Sequence, residues 1–349
     1  MKRRDSKTIY VRGVAIGGGH PVPVQSMTNT RTDDVEATLA QIRALEAAGC
    51  DIVRLAVPNR LAARALPAIR KGTNMPLVAD IHFDYTLALA AVEAGFDKIR
   101  INPGNIGAPE RVRAVADACR ERGVPIRIGV NGGSLEKDLL EKWGVSAEAM
   151  TRSALGHAKL LEDCGFHDIA LSLKASDAAL TVEANRLMAE RCEYPLHIGV
   201  TEAGTTRLGV LRSAAGIGSL LLDGIGDTIR VSLTDDPVEE VKAGNDLLRA
   251  LGLRGGVRFV SCPSCGRTEY DLIGTAKAVE ERLRDKPWNI TVAVMGCVVN
   301  GPGEASHADY GIAGGKREGV LFKKGEAVGR VPVAQLADAL TALIESENA

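Results

Sequence analysis

Aromatic residues are scarce in this chain of 349 residues: phenylalanine, tryptophan and tyrosine together make up 3%. Proteins that bind single-stranded nucleic acid usually stack the bases on aromatic side chains, so this scarcity argues against that class of function. The formal net charge is only −1, so no overall positive field attracts nucleic acid or an anionic membrane. Any recognition of an anionic ligand must therefore be local.

Long apolar runs are also absent. No stretch stays apolar for the roughly 20 residues that a membrane-spanning helix needs. The basic start, Met1–Asp5, is not followed by the apolar core of a signal peptide. We therefore expect a soluble cytoplasmic protein. In such a reducing compartment the seven cysteines are expected to be core residues or metal ligands rather than a disulfide framework.

Short apolar runs alternate with longer amphipathic stretches from residue 22 to about residue 251. Helix N-caps are predicted at Asp33, Ser176 and Asp235. Eight strand–helix units in succession favour a closed (β/α)₈ barrel of the TIM type over residues 1–252, although an open sheet would look similar locally. The eight predicted strands are Val22–Met27, Ile52–Val57, Leu77–Ile81, Lys98–Ile101, Pro125–Val130, Asp168–Leu173, Leu196–Val200 and Thr228–Leu233.

Polar residues follow almost every predicted strand. In a barrel these carboxyl ends converge on one mouth, so cations from five strands would meet at the same rim. One arginine after one strand would indicate only a surface salt bridge. Five cations in a chain of net charge −1 instead need an anion to balance them, most simply phosphate or diphosphate. The polar strand-end residues are Arg54, Asp80, His82, Arg100, Asn102, Asn105, Arg127, Asn131, Ser172, Lys174, Thr201, Glu202, Arg230 and Ser232.

A glycine-rich segment, 252–256, separates the barrel from a second predicted domain over residues 257–349. Two predicted strands of this domain end at cysteines on turns that are rich in glycine and proline. Such an arrangement is how a small α/β domain places thiolates around one metal centre. The cysteines are Cys262, Cys265 and Cys297.

Three interpretations of these cysteines are open. A thioredoxin-like redox pair normally begins a helix and needs no third cysteine. Structural zinc needs a fourth ligand, for which His307 is the only nearby candidate. A [4Fe–4S] cluster held by three thiolates and one weaker ligand fits better. Glu304, on the loop after Cys297, is the candidate weak ligand, although a solvated loop carboxylate would have the same spacing.

Eight stretches of the sequence point to one family. They are Asp51–Arg54, Ala79–His82, Arg100–Asn105, Ser172–Ser176, Gly199–Gly204, Gly226–Ser232, Ser261–Arg267 and Met295–Glu304. These stretches resemble the 4-hydroxy-3-methylbut-2-enyl diphosphate synthase family. The resemblance runs from about Thr8 to Leu340, and its last stretch is highly specific. The spacing is similar to that of the short bacterial form with two domains.

The resemblance implies a reductive ring opening, with loss of water, of the cyclic diphosphate 2-C-methyl-D-erythritol 2,4-cyclodiphosphate. The product would be 4-hydroxy-3-methylbut-2-enyl diphosphate, an isoprenoid precursor. One [4Fe–4S] cluster per chain would pass on two electrons from flavodoxin or ferredoxin. The implied cluster ligands are Cys262, Cys265, Cys297 and Glu304, with Asn300 nearby. The implied diphosphate contacts are Arg54, Arg100, Arg127, Lys174, Arg230 and Ser232.

The remaining strand-end residues complete the expected site. His82, Asn102, Asn131 and Thr201 are expected to contact the substrate. Glu202, beside His197 and Thr201, is the candidate proton donor to the departing hydroxyl.

Two other classes of function are open: a cluster-dependent dehydratase that needs no electron donor, and an iron–sulfur regulator that senses phosphorylated metabolites. The regulator would need a nucleic-acid-binding element, and the sequence contains none that we recognise.

The connection between the two predicted domains is short. The last barrel helix, about Pro237–Leu251, would run away from the mouth for roughly 22 Å at 1.5 Å per residue. Residues 252–256 span only about 17 Å even when fully extended. The cluster domain would therefore struggle to reach the mouth of its own barrel. We expect a homodimer in which each cluster closes the barrel of the partner chain.

Overall fold

The computed structural model describes residues 2–297, 303 and 305–348. The chain divides into two compact units, Met1–Leu251 and Gly252–Ala349. Among the described residues, no helix combines the length and the apolar character that crossing a bilayer requires.

The first unit begins with a short antiparallel hairpin of β1 (Ile9–Val11) and β2 (Val14–Ile16). Parallel strands then alternate with helices along the chain. These strands are β3 (Gln25–Met27), β4 (Ile52–Ala56), β5 (Leu77–Asp80), β6 (Lys98–Ile101), β7 (Ile126–Asn131), β8 (Ile169–Lys174), β9 (His197–Ile198) and β10 (Thr228–Ile229).

The parallel strands form a ring. Strands β3 to β8 pair in chain order, and β9 pairs with β10. Single bridges join these two groups at both ends, from Leu171 to Leu196 and from Val24 to Ile229. The backbone N–H of Ile229 also donates to the carbonyl of Pro23 over 3.1 Å. The curled sheet thus returns to its first strand, and the predicted barrel class is confirmed.

Helices surround the sheet. They are α1 (Val35–Ala47), α2 (Arg60–Lys71), α3 (Tyr85–Glu93), α4 (Pro103–Ile106), α5 (Pro109–Glu121), α6 (Lys137–Trp143), α7 (Ala147–Glu162), α8 (Ala178–Arg191), α9 (Thr206–Leu222) and α10 (Pro237–Ala250). Three predicted N-caps were wrong by one position, because the next residue is the one whose carboxylate reaches the N–H groups of the first turn. The observed caps are Asp34, Asp177 and Asp236, in place of Asp33, Ser176 and Asp235.

The amino-terminal hairpin packs against the barrel at the amino ends of its strands. This contact is a buried apolar group, which we call the floor cluster, and the sequence did not predict it. Because the chemistry of such barrels takes place at the carboxyl ends of the strands, the floor cluster seals the opposite end. Its members are Ile9, Val11 and Ile16 of the hairpin and Ile52, Val78 and Ala170 of the barrel strands.

The second unit is built on one mixed sheet. Strands β11, β12 and β13 are parallel, and β14 and β15 continue the sheet in antiparallel order. Two helices bury apolar residues such as Val279 and Leu340 against the sheet. The elements are β11 (Arg258–Ser261), α11 (Leu272–Leu283), β12 (Thr291–Met295), β13 (Tyr310–Gly314), β14 (Glu318–Lys323), β15 (Glu326–Pro332) and α12 (Leu336–Asn348).

Candidate functional site

Six basic side chains, which we call the cation cluster, come from the strands of the barrel or directly follow them. Four of the six are less than a tenth exposed. Arg100 is opposite Asp80 on one neighbouring strand and opposite Arg127 on the other. The members are Arg54 of β4, Lys98 and Arg100 of β6, Arg127 of β7, Lys174 of β8 and Arg230 directly after β10. Cations that the sequence predicted at separate strand ends therefore share one enclosed region.

Asp80 is one of two buried carboxylates that face these cations. Arg100 Nη1 lies 3.2 Å from its Oδ1, and Arg54 Nε lies 3.8 Å from its Oδ2. His82 Nε2 lies 3.7 Å from Oδ2. Burial by itself raises the pKa of Asp80, but Arg54, the contact with His82 and Arg100 outweigh it and lower the pKa. Asp80 is therefore ionised and orients the two arginines.

Glu240 is the second buried carboxylate, and it reaches the strand ends from helix α10. Its oxygens accept hydrogen bonds from the Arg230 guanidinium, from Ser26 Oγ at 2.9 Å and from the backbone N–H of Leu233 at 3.0 Å. Its acceptor capacity is thus used within the protein. Glu240 positions Arg230 and leaves no oxygen for other cations.

Several buried donors of the barrel interior have no partner among the described residues. Arg127 Nη1 donates to Ser172 Oγ over 2.7 Å, but its Nε and Nη2 have no partner. The same is true of Arg100 Nε and of both ring nitrogens of His197, one of which is a donor and the other an acceptor in the neutral ring. Buried polar groups are nearly always hydrogen-bonded in native proteins. In the part of the chain that the structure describes, these groups are therefore available to a ligand.

Burial and mutual repulsion lower the pKa values of these cations. Burial is the main cause for Arg54, whose pKa falls to about 10 although Asp80 partly offsets the effect. For Arg127 and Lys174 the pKa is lowered further, by burial first and then by the neighbouring arginines. A bound anion would oppose both effects, so it would stabilise the charged forms of these side chains.

Four further residues predicted from the sequence lie at the mouth or close to it. The side chain of His82 is 56% exposed, and its Nδ1 lies 3.4 Å from Arg100 Nη1. Asn102 is buried, and its Oδ1 has no partner among the described residues. Asn131 and Ser232 are partly exposed. Polar groups of both kinds, donors and acceptors, thus rim the cation cluster.

A separate part of the mouth is a cavity of about 590 Å³. Asn131, Thr201 and Glu202 line it together with the turn Gly132–Ser134. Glu202 is exposed and has a φ of 52°, in the left-handed region that few residues other than glycine adopt. The predicted neighbour His197 is not part of this lining, because it is 1% exposed inside the barrel.

The three predicted thiolate ligands belong to the second unit. Cys262 directly follows β11, and Cys297 lies two residues after β12. These strands are parallel, and the backbone N–H of Cys262 donates to the carbonyl of Val294 over 3.0 Å. A Cβ atom at Gly296 would lie 3.7 Å from Cys262 Sγ. Two of the cysteines therefore lie at neighbouring ends of one sheet edge.

Cys265 is exposed on the loop that follows Cys262. Its pKa is lowered, chiefly by a hydrogen bond from the backbone N–H of Arg267 and also by the Arg267 side chain and Thr268. A lowered pKa favours the thiolate, which is the form of cysteine that binds metals.

No three His, Cys, Asp or Glu side chains in residues 2–297, 303 and 305–348 are grouped closely enough to hold a metal ion. Asn300 and Glu304, predicted near the cluster, lie outside the described residues. The donor set still fits an iron–sulfur cluster, because Cys262, Cys265 and Cys297 are free thiols and soft ligands of this kind select iron–sulfur clusters or zinc.

Sequence reasoning did not single out Lys98, Gln25 or Glu240. Lys98 precedes Arg100 by two residues, so the alternation of side chains along a strand could have placed it inside the barrel. Gln25 stands in the same relation to Met27, whose sulfur contacts Arg54. Glu240 lies on a helix, and nothing in the sequence indicates that it turns toward the strands.

Each of the two units matches the model of a known protein family. The family model described as GcpE TIM-barrel domain matches residues 6–245, and the one described as GcpE protein C-terminal domain matches residues 258–346. The chain belongs to the GcpE family. Thus the family resemblance predicted from the sequence is confirmed.

GcpE relatives match over nearly their whole length. A protein of Geobacter sulfurreducens is 59% identical over 342 residues, which are 97% of this chain and 97% of the relative. A protein of Clostridium perfringens is 55% identical over 348 residues, which are 99% of this chain and 100% of the relative. Both relatives are named 4-hydroxy-3-methylbut-2-en-1-yl diphosphate synthase (flavodoxin).

Solved structures support the fold of the GcpE barrel alone. A truncated 3-deoxy-D-arabino-heptulosonate 7-phosphate synthase of Thermotoga maritima has a TM-score of 0.51 at 16% identity, over 71% of this chain and 94% of that one. A dihydropteroate synthase of Xanthomonas albilineans has a TM-score of 0.50 at 19% identity, over 71% of this chain and 98% of that one. Identities this low carry no information about the reaction.

Proposed function

We propose that this chain reduces 2-C-methyl-D-erythritol 2,4-cyclodiphosphate to 4-hydroxy-3-methylbut-2-enyl diphosphate. Two electrons and two protons enter, the ring opens at a carbon–oxygen bond, and one water leaves. The observation that carries this proposal is the enclosed cation cluster, with six basic side chains and two buried carboxylates, in a chain whose GcpE relatives have the synthase name.

The cation cluster is proposed to hold the diphosphate. Arg100, Lys174 and Arg230 would form its principal contacts, because Lys174 has no ion-pair partner in the described part of the chain and the other two keep donors free of their carboxylates. Such contacts hold the phosphates and leave the carbon skeleton toward the mouth. The remaining proposed contacts are Arg54, His82, Asn102, Arg127, Asn131, Thr201 and Ser232.

Glu202 is proposed to donate the proton to the departing hydroxyl. It lines the mouth cavity with Thr201 and Asn131, and its side chain is exposed at the mouth. A general acid must lie within hydrogen-bond reach of the leaving oxygen. The backbone of Glu202 has φ at 52°, a sparsely populated conformation of the kind that occurs at functional sites.

Cys262, Cys265, Cys297 and Glu304 are proposed to hold one [4Fe–4S] cluster per chain, with Asn300 beside it. The three thiols are free, and the pKa of Cys265 is lowered. When bound, the cluster supplies electrons one at a time. Flavodoxin is the proposed donor, since the relatives carry that word in their names, and ferredoxin is the alternative. Zinc is the competing metal for the same thiolates.

Two further proposals concern the assembly and its setting. The first domain, 1–252, would bind the diphosphate and the second, 257–349, would hold the cluster. We propose a homodimer in which each cluster serves the barrel of the partner chain, because the short segment 252–256 limits the distance between a barrel and the cluster domain of the same chain.

Free thiols throughout the chain support a reducing compartment, and we propose the cytosol.

Anaerobic turnover tests the function. Purified protein with reduced flavodoxin should convert the cyclic diphosphate to the allylic alcohol diphosphate, consuming two electrons per product. A cluster-dependent dehydratase without net redox chemistry would form product in the absence of any electron donor. A protein that binds iron but leaves the cyclic diphosphate unchanged under both conditions would contradict the proposed reaction.

A further inference from the structure

Three buried polar side chains lie one layer deeper in the barrel than the residues at its mouth. Lys98 precedes Arg100 by two residues on β6. Gln25 likewise precedes Met27 on β3. His197 is opposite Thr228, which precedes Arg230 by two residues. Because every second side chain of a strand points to the same face, each lies inside the barrel and nearer its floor.

Two of these side chains have no hydrogen-bond partner among the described residues. Both ring nitrogens of His197 and both amide atoms of Gln25 are buried without one. Lys98 is 1% exposed and forms no hydrogen bond or ion pair in the part of the chain that the structure describes. Native proteins rarely leave one such group unsatisfied, and here two belong to the same layer of the barrel as Lys98.

The charges that act most on two of these side chains are positive. They are Arg127 and Arg54 for Lys98, and Lys174, Arg127, Lys98 and Arg54 for His197. The buried carboxylates Asp80 and Glu240 are paired with Arg100 and Arg230. The floor cluster below is apolar and offers no acceptor. A buried ammonium without a counter-ion is strongly unfavourable, so an anion that enters from the mouth would stabilise the charged form of Lys98.

We propose that Lys98, His197 and Gln25 form an inner subsite that receives a phosphoryl group below the rim of the cation cluster. The subsite supplies N–H donors from an ammonium, an imidazole and an amide, and Arg127 adds its free Nε and Nη2. Donors on several sides suit a tetrahedral oxyanion. This subsite rests on the proposed diphosphate function and deepens it, since one phosphoryl group would lie beyond the residues predicted from the strand ends.

Calorimetric titration of the anaerobically purified full-length protein with inorganic diphosphate tests the subsite. Lys98→Met keeps the length of the side chain and removes its charge, and we expect it to weaken binding about tenfold. His197→Phe should also weaken binding. If Lys98→Met does not fold, His197→Phe provides the test in its place. Lys71→Gln, at an exposed lysine on α2, is the control and should bind like the wild type.

Proton uptake separates a direct contact from a structural role. Burial, followed by Arg127 and Arg54, lowers the pKa of Lys98, and a bound anion raises it again. Titration near pH 8 in two buffers of different ionisation enthalpy should therefore show protons taken up by the wild type. Lys174, whose pKa is also lowered, contributes to this uptake. Lys98→Met should take up fewer protons.

The outcomes distinguish the subsite from the function on which it rests. If the wild type binds diphosphate while Lys98→Met and His197→Phe bind it equally well, the subsite is wrong and water occupies this layer. If the wild type does not bind diphosphate at all, the proposed function itself fails. Weaker binding with less proton uptake in Lys98→Met, beside an unchanged Lys71→Gln, supports the inner subsite.

Discussion

Arg230 donates two hydrogen bonds to Glu240, from Nε to Oε2 and from Nη2 to Oε1, and each is 3.1 Å long. Glu240 is 3% exposed and lies on α10, so this pair joins the last barrel helix to the end of the last strand. The third guanidinium nitrogen, Nη1, lies 3.7 Å from the sulfur of Met27. The carboxylate thus sets the orientation in which Arg230 faces the barrel interior.

Glu240→Ala is expected to lower the free energy of unfolding by about 3–5 kcal/mol, because it leaves the partly buried guanidinium of Arg230 without its carboxylate partner. Ser26 and the N–H of Leu233 lose their acceptor as well. Denaturant unfolding measures the loss. Glu239→Ala is the control. Glu239 pairs with Lys242 at the surface, so this substitution should lower the free energy of unfolding by no more than about 1 kcal/mol. Equal effects of the two variants would contradict the role of Glu240.

Replacing a cation at the mouth should weaken substrate binding and spare the fold. We expect Arg100→Gln, Lys174→Gln and Arg230→Gln each to cost about 1.5–3 kcal/mol in binding of the cyclic diphosphate, since each removes a charge-assisted hydrogen bond. Calorimetry measures the affinity, and Arg113→Gln, at an exposed site on α5, is the control. Unchanged affinity in all three variants would refute the diphosphate site.

His157 ties the turn after β6 to helix α7. The backbone N–H of Gly104 donates to its Nδ1 over 3.1 Å, and its Nε2 lies 2.7 Å from Glu136 Oε1. A ring that accepts at Nδ1 is neutral and carries its proton on Nε2. Burial, the largest cause, lowers the pKa of His157 below its ordinary 6.5, although Glu136 opposes this.

The lowered pKa gives His157 a defined pH dependence. The unfolded chain binds the proton more readily than the folded one, so its contribution to stability is complete above pH 6.5 and is lost as pH falls through the folded pKa. We expect the thermal unfolding midpoint of the wild type to fall more steeply below pH 6.5 than that of His157→Gln. His167→Gln, at an exposed histidine, should keep the steep dependence. Parallel curves for His157→Gln and the wild type would show that His157 does not titrate in this way.

The cluster proposal predicts about four irons and four sulfides per chain in anaerobically purified protein. Cys262→Ser, Cys265→Ser and Cys297→Ser should each lose the cluster, whereas Glu304→Ala should loosen one iron first. Metal analysis and the visible absorption spectrum measure both effects. Cys164→Ser, at a free cysteine of the barrel, should keep full iron content. Zinc as the only bound metal would rule out the cluster.

Subunit mixing tests whether the site is shared between chains. Glu202→Gln and Cys297→Ser should each be inactive as homodimers, since one lacks the proton donor and the other a cluster ligand. If each cluster serves the partner's barrel, a heterodimer of the two variants contains one barrel with Glu202 opposite one intact cluster, so activity should return. A mixture that exchanges subunits yet stays inactive would place the whole site within one chain.

The barrel and its cations were predictable because both follow from short-range patterns. Strand–helix alternation and the side-chain period of two depend only on nearby residues, and parallel strands bring their carboxyl ends to one edge whatever the details of packing. The sequence alone is therefore enough to assign Arg100 and Lys174 to one mouth. The motif around Cys262 and Cys265 is local in the same way.

Only the tertiary structure decided which charges are balanced. Asp80 faces Arg100 and Arg54 across neighbouring strands, and this pairing depends on the register of the sheet. Glu240 reaches Arg230 from a helix, and that pairing depends on how the helix is rotated about its axis. The layer that contains Lys98 is buried because the hairpin of β1 and β2 closes the amino-terminal end of the barrel. The hairpin and Lys98 are more than 80 residues apart in the chain. Such long-range contacts arise from packing of the whole barrel, and no local pattern in the sequence encodes them.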